Sequence, residues 1–145
     1  MKLLLILGNQ LFPLKNLDQY KQDHIVFMSE DYELCSYEKH HKLKILLFLS
    51  CMRSYAESLK VNKFKIEYSR IDSTDFRKNY IEKLKRVISS KNIKEITCFE
   101  NEDKFLEARG FDPSEVKGLV HSIVDTRRNI LKDVLEEQSS KLGKK

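Results

Sequence analysis

Polar residues follow four predicted strands at the point where each strand ends. They are Gly8-Asn9-Gln10-Leu11, Ser29-Glu30-Asp31, Ser69-Arg70-Ile71-Asp72 and Glu100-Asn101-Glu102. In an open parallel sheet, ligands bind outside the carboxyl ends of the strands, near the reversal of strand order. The residues therefore predict a ligand site at this edge of the sheet, although the first segment taken alone better fits an ordinary polar turn.

A second polar group, His40-His41-Lys42, opens a long predicted helix. Basic residues at a helix amino terminus oppose the helix dipole, so this segment requires neighbouring carboxylates or an anionic ligand. Adjacent His residues do not converge on one helix face, so we do not expect a metal site here.

The sequence carries no nucleophile or hydrolase signature. It contains no G-x-S-x-G elbow, no P-loop and no H-E-x-x-H pair. The acidic pairs Glu136-Glu137 and Glu100 with Glu102 are typical of solvent-exposed helices and loops, so the sequence indicates no general acid or base. We expect no catalysis from this chain alone.

Composition narrows the class of protein. The chain has 145 residues, of which 41% are hydrophobic and 34% charged, with four Gly and two Pro. These values favour one α/β or all-α domain over a disordered chain or a many-turned β-sandwich. The formal charge of +5 permits a polyanionic partner without requiring one.

Cysteine usage and the amino terminus predict a cytoplasmic protein. The three Cys form no C-x-x-C pair, so neither a disulfide framework nor a zinc site is indicated. The apolar run 3–7 is too short for a signal peptide, and no segment approaches the roughly 20 apolar residues of a membrane span.

Short apolar runs that alternate with helical patterns predict a parallel sheet with right-handed crossovers. The predicted strands cover residues 3–7, 24–28, 64–68, 95–99 and 119–124. The third alternates apolar with charged residues and is expected toward an edge. We predict an α/β fold, a Rossmann-like three-layer sandwich with a five-stranded parallel sheet, over residues 1–138, followed by a flexible basic tail at 139–145.

The longest predicted helix covers residues 37–60. Its apolar residues lie on more than one face, so we expect it to be sandwiched between two neighbours. A second helix is predicted over 75–90, with Ser73, Thr74 or Asp75 as its N-cap. Short helical connections are predicted at 103–108 and 113–117, and a final helix at 125–138.

Two segments resemble a known family. Leu5-Ile6-Leu7-Gly8-Asn9-Gln10-Leu11 is similar to an I-L-G-D-Q-L turn, and residues 40–59 are similar to a helix that opens with H-H-K and continues toward S-A-M-R-H-F-A-E-E-L. The turn and the helix that these segments resemble belong to the amino-terminal domain of the photolyase-related proteins. These form the prokaryotic branch of the photolyase and cryptochrome superfamily that contains the iron-sulfur (6-4) photolyases. The helix match is specific, because helix periodicity does not dictate its mixed chemistry.

Weaker similarity continues along the chain. Tyr68-Ser69-Arg70-Ile71-Asp72 is similar to the family's Y-x-R-I-D-D, Glu100 falls at its T-E-P turn, and Asp125-Thr126-Arg127-Arg128 resembles its D-x-R-F. The resemblance covers residues 1–138. It ends where the family's helical domain, which carries flavin adenine dinucleotide and the iron-sulfur cluster, begins.

The resemblance implies an antenna domain of the photolyase amino-terminal type. Its ligand would be 6,7-dimethyl-8-ribityllumazine or a flavin-like chromophore, bound in support of DNA photorepair or light sensing. Because the helical domain lies beyond the resemblance, neither flavin adenine dinucleotide nor an iron-sulfur cluster is expected in this chain alone. Contact with DNA would be indirect, and no membrane partner is expected.

The resemblance also implies a set of chromophore-binding residues, drawn from the strand ends and from one face of the long helix. They are Gly8, Asn9, Gln10, Leu11, Glu30, Glu33, His41, Lys44, Phe48, Asp72 and Glu100. Asn9 stands at the family's Asp position and lacks its charge. Glu33 is the preferred counterpart of an acidic pocket residue, with Glu30 as the alternative, and Phe48 by spacing alone fits an ordinary core position.

Two other functions stay open. The chain also fits a ligand-free protein-interaction module of the same fold, whose long helix docks a flavin-containing helical domain or a second copy. Asn9 would then be the first sign of a decayed site. Direct nucleic-acid binding through the Lys-rich tail rests on charge alone.

Overall fold

Parallel strands form the centre of the structure. The computed structural model describes residues 1–36, 38–99 and 120–124. Its strands are β1 (Lys2–Leu5), β2 (His24–Ser29), β3 (Lys65–Ser69), β4 (Glu95–Phe99) and β5 (Val120–Val124). Every pairing is parallel, in the order β3-β2-β1-β4-β5. The predicted α/β class with a parallel sheet is confirmed, and β3 lies at an edge as expected.

The helices are α1 (Tyr32–Ser36), α2 (Lys42–Val61) and α3 (Tyr80–Lys91). Between β1 and β2 the chain forms two short 3-10 turns, Leu14–Asn16 and Asp18–Tyr20. Within the described part of the chain, no helix is long and apolar enough to cross a membrane.

The first strand is buried on both faces of the sheet. Residues 3–7 are all buried, and their side chains alternate between two core clusters. Leu3 and Leu5 pack in one cluster with Leu84 of α3, whereas Leu4 packs in the other with Leu59 of α2. An unbroken apolar run is required because both faces of this strand are covered by helices. The arrangement is compatible with a Rossmann-like architecture.

The long helix begins later than predicted. Residues 32–36 form the separate helix α1, and α2 begins at Lys42. His41 has an extended backbone, and its Nδ1 accepts a hydrogen bond from the Leu43 amide at 3.2 Å. A side chain that caps the helix satisfies an otherwise unpaired amide, which the apolar periodicity of the sequence does not reveal.

The expectation that α2 is sandwiched between two neighbours is wrong for the described residues. Its buried face consists of Leu49, Met52, Ala56 and Leu59, which recur at helical spacing. The second apolar face is exposed instead, with Leu43, Leu46 and Leu47 each more than 60% accessible. We call these three residues the exposed face of α2.

The N-cap predicted for α3 is also wrong. Asn79 caps the helix, and its side-chain oxygen accepts a hydrogen bond from the Ile81 amide at 2.8 Å. Asp75 is buried four positions earlier and forms ion pairs with Lys78 and Arg86. Asp75 therefore stabilises the loop before α3 rather than its first turn.

Several sequence predictions lie outside the described residues. These are the helical connections at 103–108 and 113–117, the final helix at 125–138, the basic tail at 139–145 and the side chain of Glu100.

Candidate functional site

A cavity of about 190 Å³ opens at the carboxyl ends of β1 and β2. Its wall includes Leu7, Gly8 and Asn9 after β1, and Ser29 and Asp31 at the end of β2. Residues of the three helices and of the loop before α2 complete the lining: Cys35, His40, Lys44, Ile45, Phe48, Leu49, Met52 and Tyr80. The cavity therefore lies where parallel sheets place their ligands, outside the carboxyl ends of the strands.

Two side chains pack closely over Gly8. A Cβ atom at this position would lie 2.8 Å from Met52 Sδ and 2.8 Å from Phe48 Cε1 and Cζ. Contacts this short force a neighbour to move. Gly8 therefore leaves room for Phe48 and Met52, and its contact with a chromophore stays a prediction.

One face of α2 forms a wall of the cavity. Lys44, Ile45 and Phe48 follow one another at helical spacing, and all three line it. Phe48 is 41% exposed, so it is not an ordinary core residue. His41, predicted on the same face, is the exposed cap of α2 and does not line the cavity.

The floor of the cavity holds a buried ion pair. Asp31 Oδ1 lies 3.5 Å from Lys83 Nζ, and both side chains are 5% exposed or less. The Lys83 ammonium also donates to the backbone oxygens of Glu30 at 3.3 Å and Phe76 at 3.0 Å. Burial lowers the pKa of Lys83, and Asp31 opposes that shift. The pair brings opposite charges together beneath the cavity.

Two other titratable groups in the lining are held in their neutral forms. Burial first, and then the Asp31 carboxylate, raises the pKa of the Cys35 thiol. The same two causes, in the same order, raise the pKa of Tyr80. A raised pKa disfavours the nucleophilic thiolate, so Cys35 offers the cavity a small polarisable thiol.

Glu30 faces away from the cavity. Its side chain is 0% exposed and accepts hydrogen bonds from Arg53 Nε at 2.6 Å and Nη2 at 3.0 Å. Tyr68 Oη donates to it at 2.9 Å, and the Ile71 amide at 2.6 Å. We call this group of four residues the Glu30 clasp. It joins the end of β2 to α2, β3 and the loop after β3.

The clasp fixes the charge of Glu30. Burial would raise the pKa of this carboxyl, but the hydrogen bonds from Arg53, Ile71 and Tyr68 outweigh it and hold the pKa below its ordinary value. Four donors already surround this carboxylate. Glu30 therefore has a structural role here, and its binding to the chromophore stays a prediction.

Other predicted residues also lie outside the cavity lining. Gln10 is buried, and its Oε1 accepts a hydrogen bond from the Leu7 amide at 3.1 Å, so it shapes the turn after β1. Leu11 packs against the core cluster beneath α2. Glu33 and Asp72 are exposed, and Asp72 pairs with Arg70 at 3.4 Å. Of the predicted residues that the structure describes, Gly8, Asn9, Lys44 and Phe48 line the cavity.

Sequence reasoning missed most of the floor. Asp31 was part of a predicted strand-end segment but was not chosen as a site residue. Successive side chains of a strand point to opposite faces, and this alternation could have separated Asp31 from Glu30. Tyr80 and Lys83 carry no such signal, because their roles depend on how α3 packs. Among the described residues, no cluster of three or more His, Cys, Asp or Glu could hold a metal ion.

Comparison with known proteins gives two similarities. The sequence model of a family described as deoxyribodipyrimidine photo-lyase-related protein matches residues 4–139. A (6-4) photolyase of Agrobacterium fabrum (strain C58 / ATCC 33970) is 41% identical over 91 residues, which is 60% of this chain. The matched part spans 18% of that relative's length.

Proposed function

The chain belongs to the deoxyribodipyrimidine photo-lyase-related family, and on this premise we propose that it binds an antenna chromophore in the cavity beside β1 and β2. The chromophore is 6,7-dimethyl-8-ribityllumazine or a flavin-like ring. The function it serves is DNA photorepair or light sensing, carried out with a flavin-containing helical domain.

The observation that carries this proposal is the lining of the cavity. A flat heteroaromatic ring needs apolar walls, an aromatic surface to stack on and a few convergent polar groups. Phe48, Ile45 and Leu49 supply the apolar wall along α2. Asn9 supplies an amide that can both donate to and accept from a ring that carries carbonyl and imino groups.

Asn9 retains part of what the family's Asp would offer. Its amide keeps one acceptor oxygen and adds two donor hydrogens, but it carries no charge. Asp31 supplies a carboxylate to the lining, but this carboxylate already pairs with Lys83 at 3.5 Å. The chromophore would therefore be held by neutral hydrogen bonds at Asn9 and by apolar contact along α2.

Titration of the 145-residue chain with 6,7-dimethyl-8-ribityllumazine tests the proposal. We expect saturable binding, followed by the near-ultraviolet and blue absorbance of the ligand and by quenching of its fluorescence. Ile45→Trp should abolish binding, because the larger ring fills the cavity. Leu46→Trp, one residue later on the exposed face of α2, is the matched control and should bind as the parent does.

Two results would contradict the proposal. One is the absence of saturable binding by the folded parent chain. The other is equal loss of binding in Ile45→Trp and Leu46→Trp, since only the first substitution changes the cavity.

A second candidate function is supported by the exposed face of α2. Leu43, Leu46 and Leu47 form adjacent apolar surface on one helix, and such surfaces commonly mark interaction sites. The partner would be a flavin-containing helical domain, since the matched part of this chain corresponds to 18% of a longer photolyase. In this alternative the domain acts as a docking module and needs no ligand.

A further inference from the structure

We propose that the chain forms a weak symmetric dimer in which the α2 helices of two copies pack side by side in antiparallel orientation. This inference is independent of chromophore binding. It places a second copy of this chain on the exposed face of α2, where the second candidate function places a flavin-containing helical domain. Three properties of α2 support it: an uncharged stripe, the distribution of large and small residues along that stripe, and the charges at the two helix ends.

One side of α2 is exposed along the whole helix and contains no charged residue. Its members are spaced mostly three or four positions apart, so they lie along one side of the helix. They are Leu43, Leu47, Ser50, Cys51, Ser54, Ser58 and Val61, and all of them are exposed. We call these residues the uncharged stripe. In a chain of which 34% is charged, an exposed helical surface without charge indicates contact with another protein surface.

Large and small side chains are separated along the uncharged stripe. Leu43 and Leu47 lie in its amino-terminal half, whereas serines occupy positions 50, 54 and 58. A twofold axis near residues 50 and 51 passes close to the midpoint of α2. In an antiparallel pair about this axis, Leu47 of each copy lies opposite Ser54 of the other, and Leu43 lies opposite Ser58. The stripe is therefore complementary in size to a second copy of itself, as a twofold interface requires.

Ser58 can enter such an interface without losing its hydrogen bond. Its Oγ donates to the backbone oxygen of Ser54 at 3.0 Å, within the same helix. Removing this hydroxyl from water therefore leaves no donor unpaired, and an unpaired donor would weaken the contact. A small side chain of this kind lets two helix backbones approach closely.

The charges at the ends of α2 favour an antiparallel over a parallel pair. His40-His41-Lys42 and Lys44 make the amino end basic, against the direction of the helix dipole. At the carboxyl end, Lys60 pairs with Glu57 at 2.8 Å. Two basic ends would meet and repel each other in a parallel pair. In an antiparallel pair, each basic end lies beside the carboxyl end of the other helix, whose dipole supplies negative potential.

The size of the contact predicts its strength. A 20-residue helix is about 30 Å long and packs against another helix over a strip about 10 Å wide. Two copies would therefore bury about 600 Å² in total, which is about half of what the smallest stable complexes bury. We expect a dimer that dissociates on dilution, with a dissociation constant on the order of 100 µM.

Sedimentation velocity of the 145-residue chain between about 5 µM and about 500 µM tests the dimer. We expect the weight-average sedimentation coefficient to rise with concentration from the monomer toward the dimer value. Ser54→Glu should raise the dissociation constant at least about tenfold, because it places a carboxylate in the middle of an uncharged contact. Ser89→Glu is the matched control and should associate as the parent does, because Ser89 is an exposed serine of α3.

A mixture of two variants tests the antiparallel register. Leu47→Lys alone should weaken self-association, as Ser54→Glu does. An equimolar mixture of the two variants should restore association, because the ammonium introduced in one copy then faces the carboxylate introduced in the other. In a parallel pair, position 47 would face position 47, and the mixture would associate no better than its components.

Several results would overturn the inference. The parent chain could stay monomeric at about 500 µM. Ser54→Glu and Ser89→Glu could associate equally, or the mixture could fail to restore association. Lower stability of Ser54→Glu in a monomeric chain would mean that other parts of the same chain cover the stripe. Association of a monomeric parent with a flavin-containing helical domain would support the second candidate function instead.

These outcomes are separate from those of the chromophore proposal. Ser54 lies outside the cavity lining, so Ser54→Glu should bind the ribityl-lumazine as the parent does in an absorbance titration. A monomeric chain that binds the ribityl-lumazine overturns the dimer alone. A dimeric chain that binds no ribityl-lumazine overturns the chromophore proposal alone.

Discussion

Glu30 and Asp31 are neighbours in the sequence, and both are buried at the end of β2. Glu30 turns toward α2 and β3, where four hydrogen bonds from Arg53, Tyr68 and Ile71 surround its carboxylate. Asp31 turns toward α3, where Lys83 lies 3.5 Å away and the cavity begins. One acid is enclosed by the protein, and the other lines a space that a ligand can enter.

The hydrogen-bond partners of a buried carboxylate indicate whether it has a structural role or a binding role. A buried carboxylate that receives donors on both oxygens holds elements together, because removing it leaves those donors unpaired. A carboxylate that lines a cavity lies where a ligand can reach it. The comparison predicts different consequences for substituting the two residues.

Glu30→Gln should have the largest effect, a loss of about 3 kcal/mol in the free energy of unfolding. The neutral amide cannot pair with Arg53, and its NH₂ group faces donors instead of accepting from them. Urea unfolding followed by circular dichroism measures the loss. Glu33→Gln, which removes an exposed carboxylate, is the control and should change stability by less than about 0.5 kcal/mol. Equal stability of the two variants would remove the structural role assigned to the clasp.

Acid should produce a similar but smaller loss of stability through the same carboxyl. The pKa of Glu30 is lower in the folded chain than its ordinary value of 4.5. A depressed pKa stabilises the fold above the unfolded value, and this contribution disappears as the pH falls through the folded value. Unfolding measured between pH 7 and pH 3 should therefore show stability falling below about pH 4.5, with a shallower fall in Glu30→Gln. Identical profiles for parent and variant would contradict this.

Asp31→Asn should destabilise the chain by only about 1–2 kcal/mol. Lys83 would lose its carboxylate but keep the backbone oxygens of Glu30 and Phe76 as acceptors. The variant should also change the affinity for the ribityl-lumazine, measured by absorbance titration, whereas Glu30→Gln should leave the affinity of its folded fraction nearly unchanged. Unchanged affinity in Asp31→Asn together with changed affinity in Glu30→Gln would contradict the roles assigned to the two acids.

Leu46→Glu with Leu47→Glu should have the smallest effect on stability, within about 0.5 kcal/mol, because both side chains lie on the exposed face of α2. If that face docks a partner or a second copy, the double variant should lower self-association in sedimentation velocity without weakening chromophore binding. A strong loss of stability would mean that the face is covered by other parts of the chain.

The fold was predictable to a large extent because it depends on local patterns. The apolar runs located β2 and β4, and the alternation over residues 64–68 indicated an edge strand. The predicted start of α2 was five residues too early. The helix begins after His41, whose side chain caps it, and a cap of this kind leaves no mark in the spacing of apolar residues. The exposed face of α2 was misread because an apolar residue carries no mark of what covers it.

The sequence by itself determined the α/β class, the family and the lining residues that follow helical spacing on α2. These properties depend on periodicity and on side-chain types that are read along the chain. Only the tertiary structure decided which acid is structural, which side chains pack over Gly8 and how large the cavity is. Each of these depends on side chains brought together from distant positions, such as Arg53 with Glu30 and Lys83 with Asp31. Burial then gives adjacent carboxylates different roles, because the cost of removing a charge from water depends on the partners that replace it.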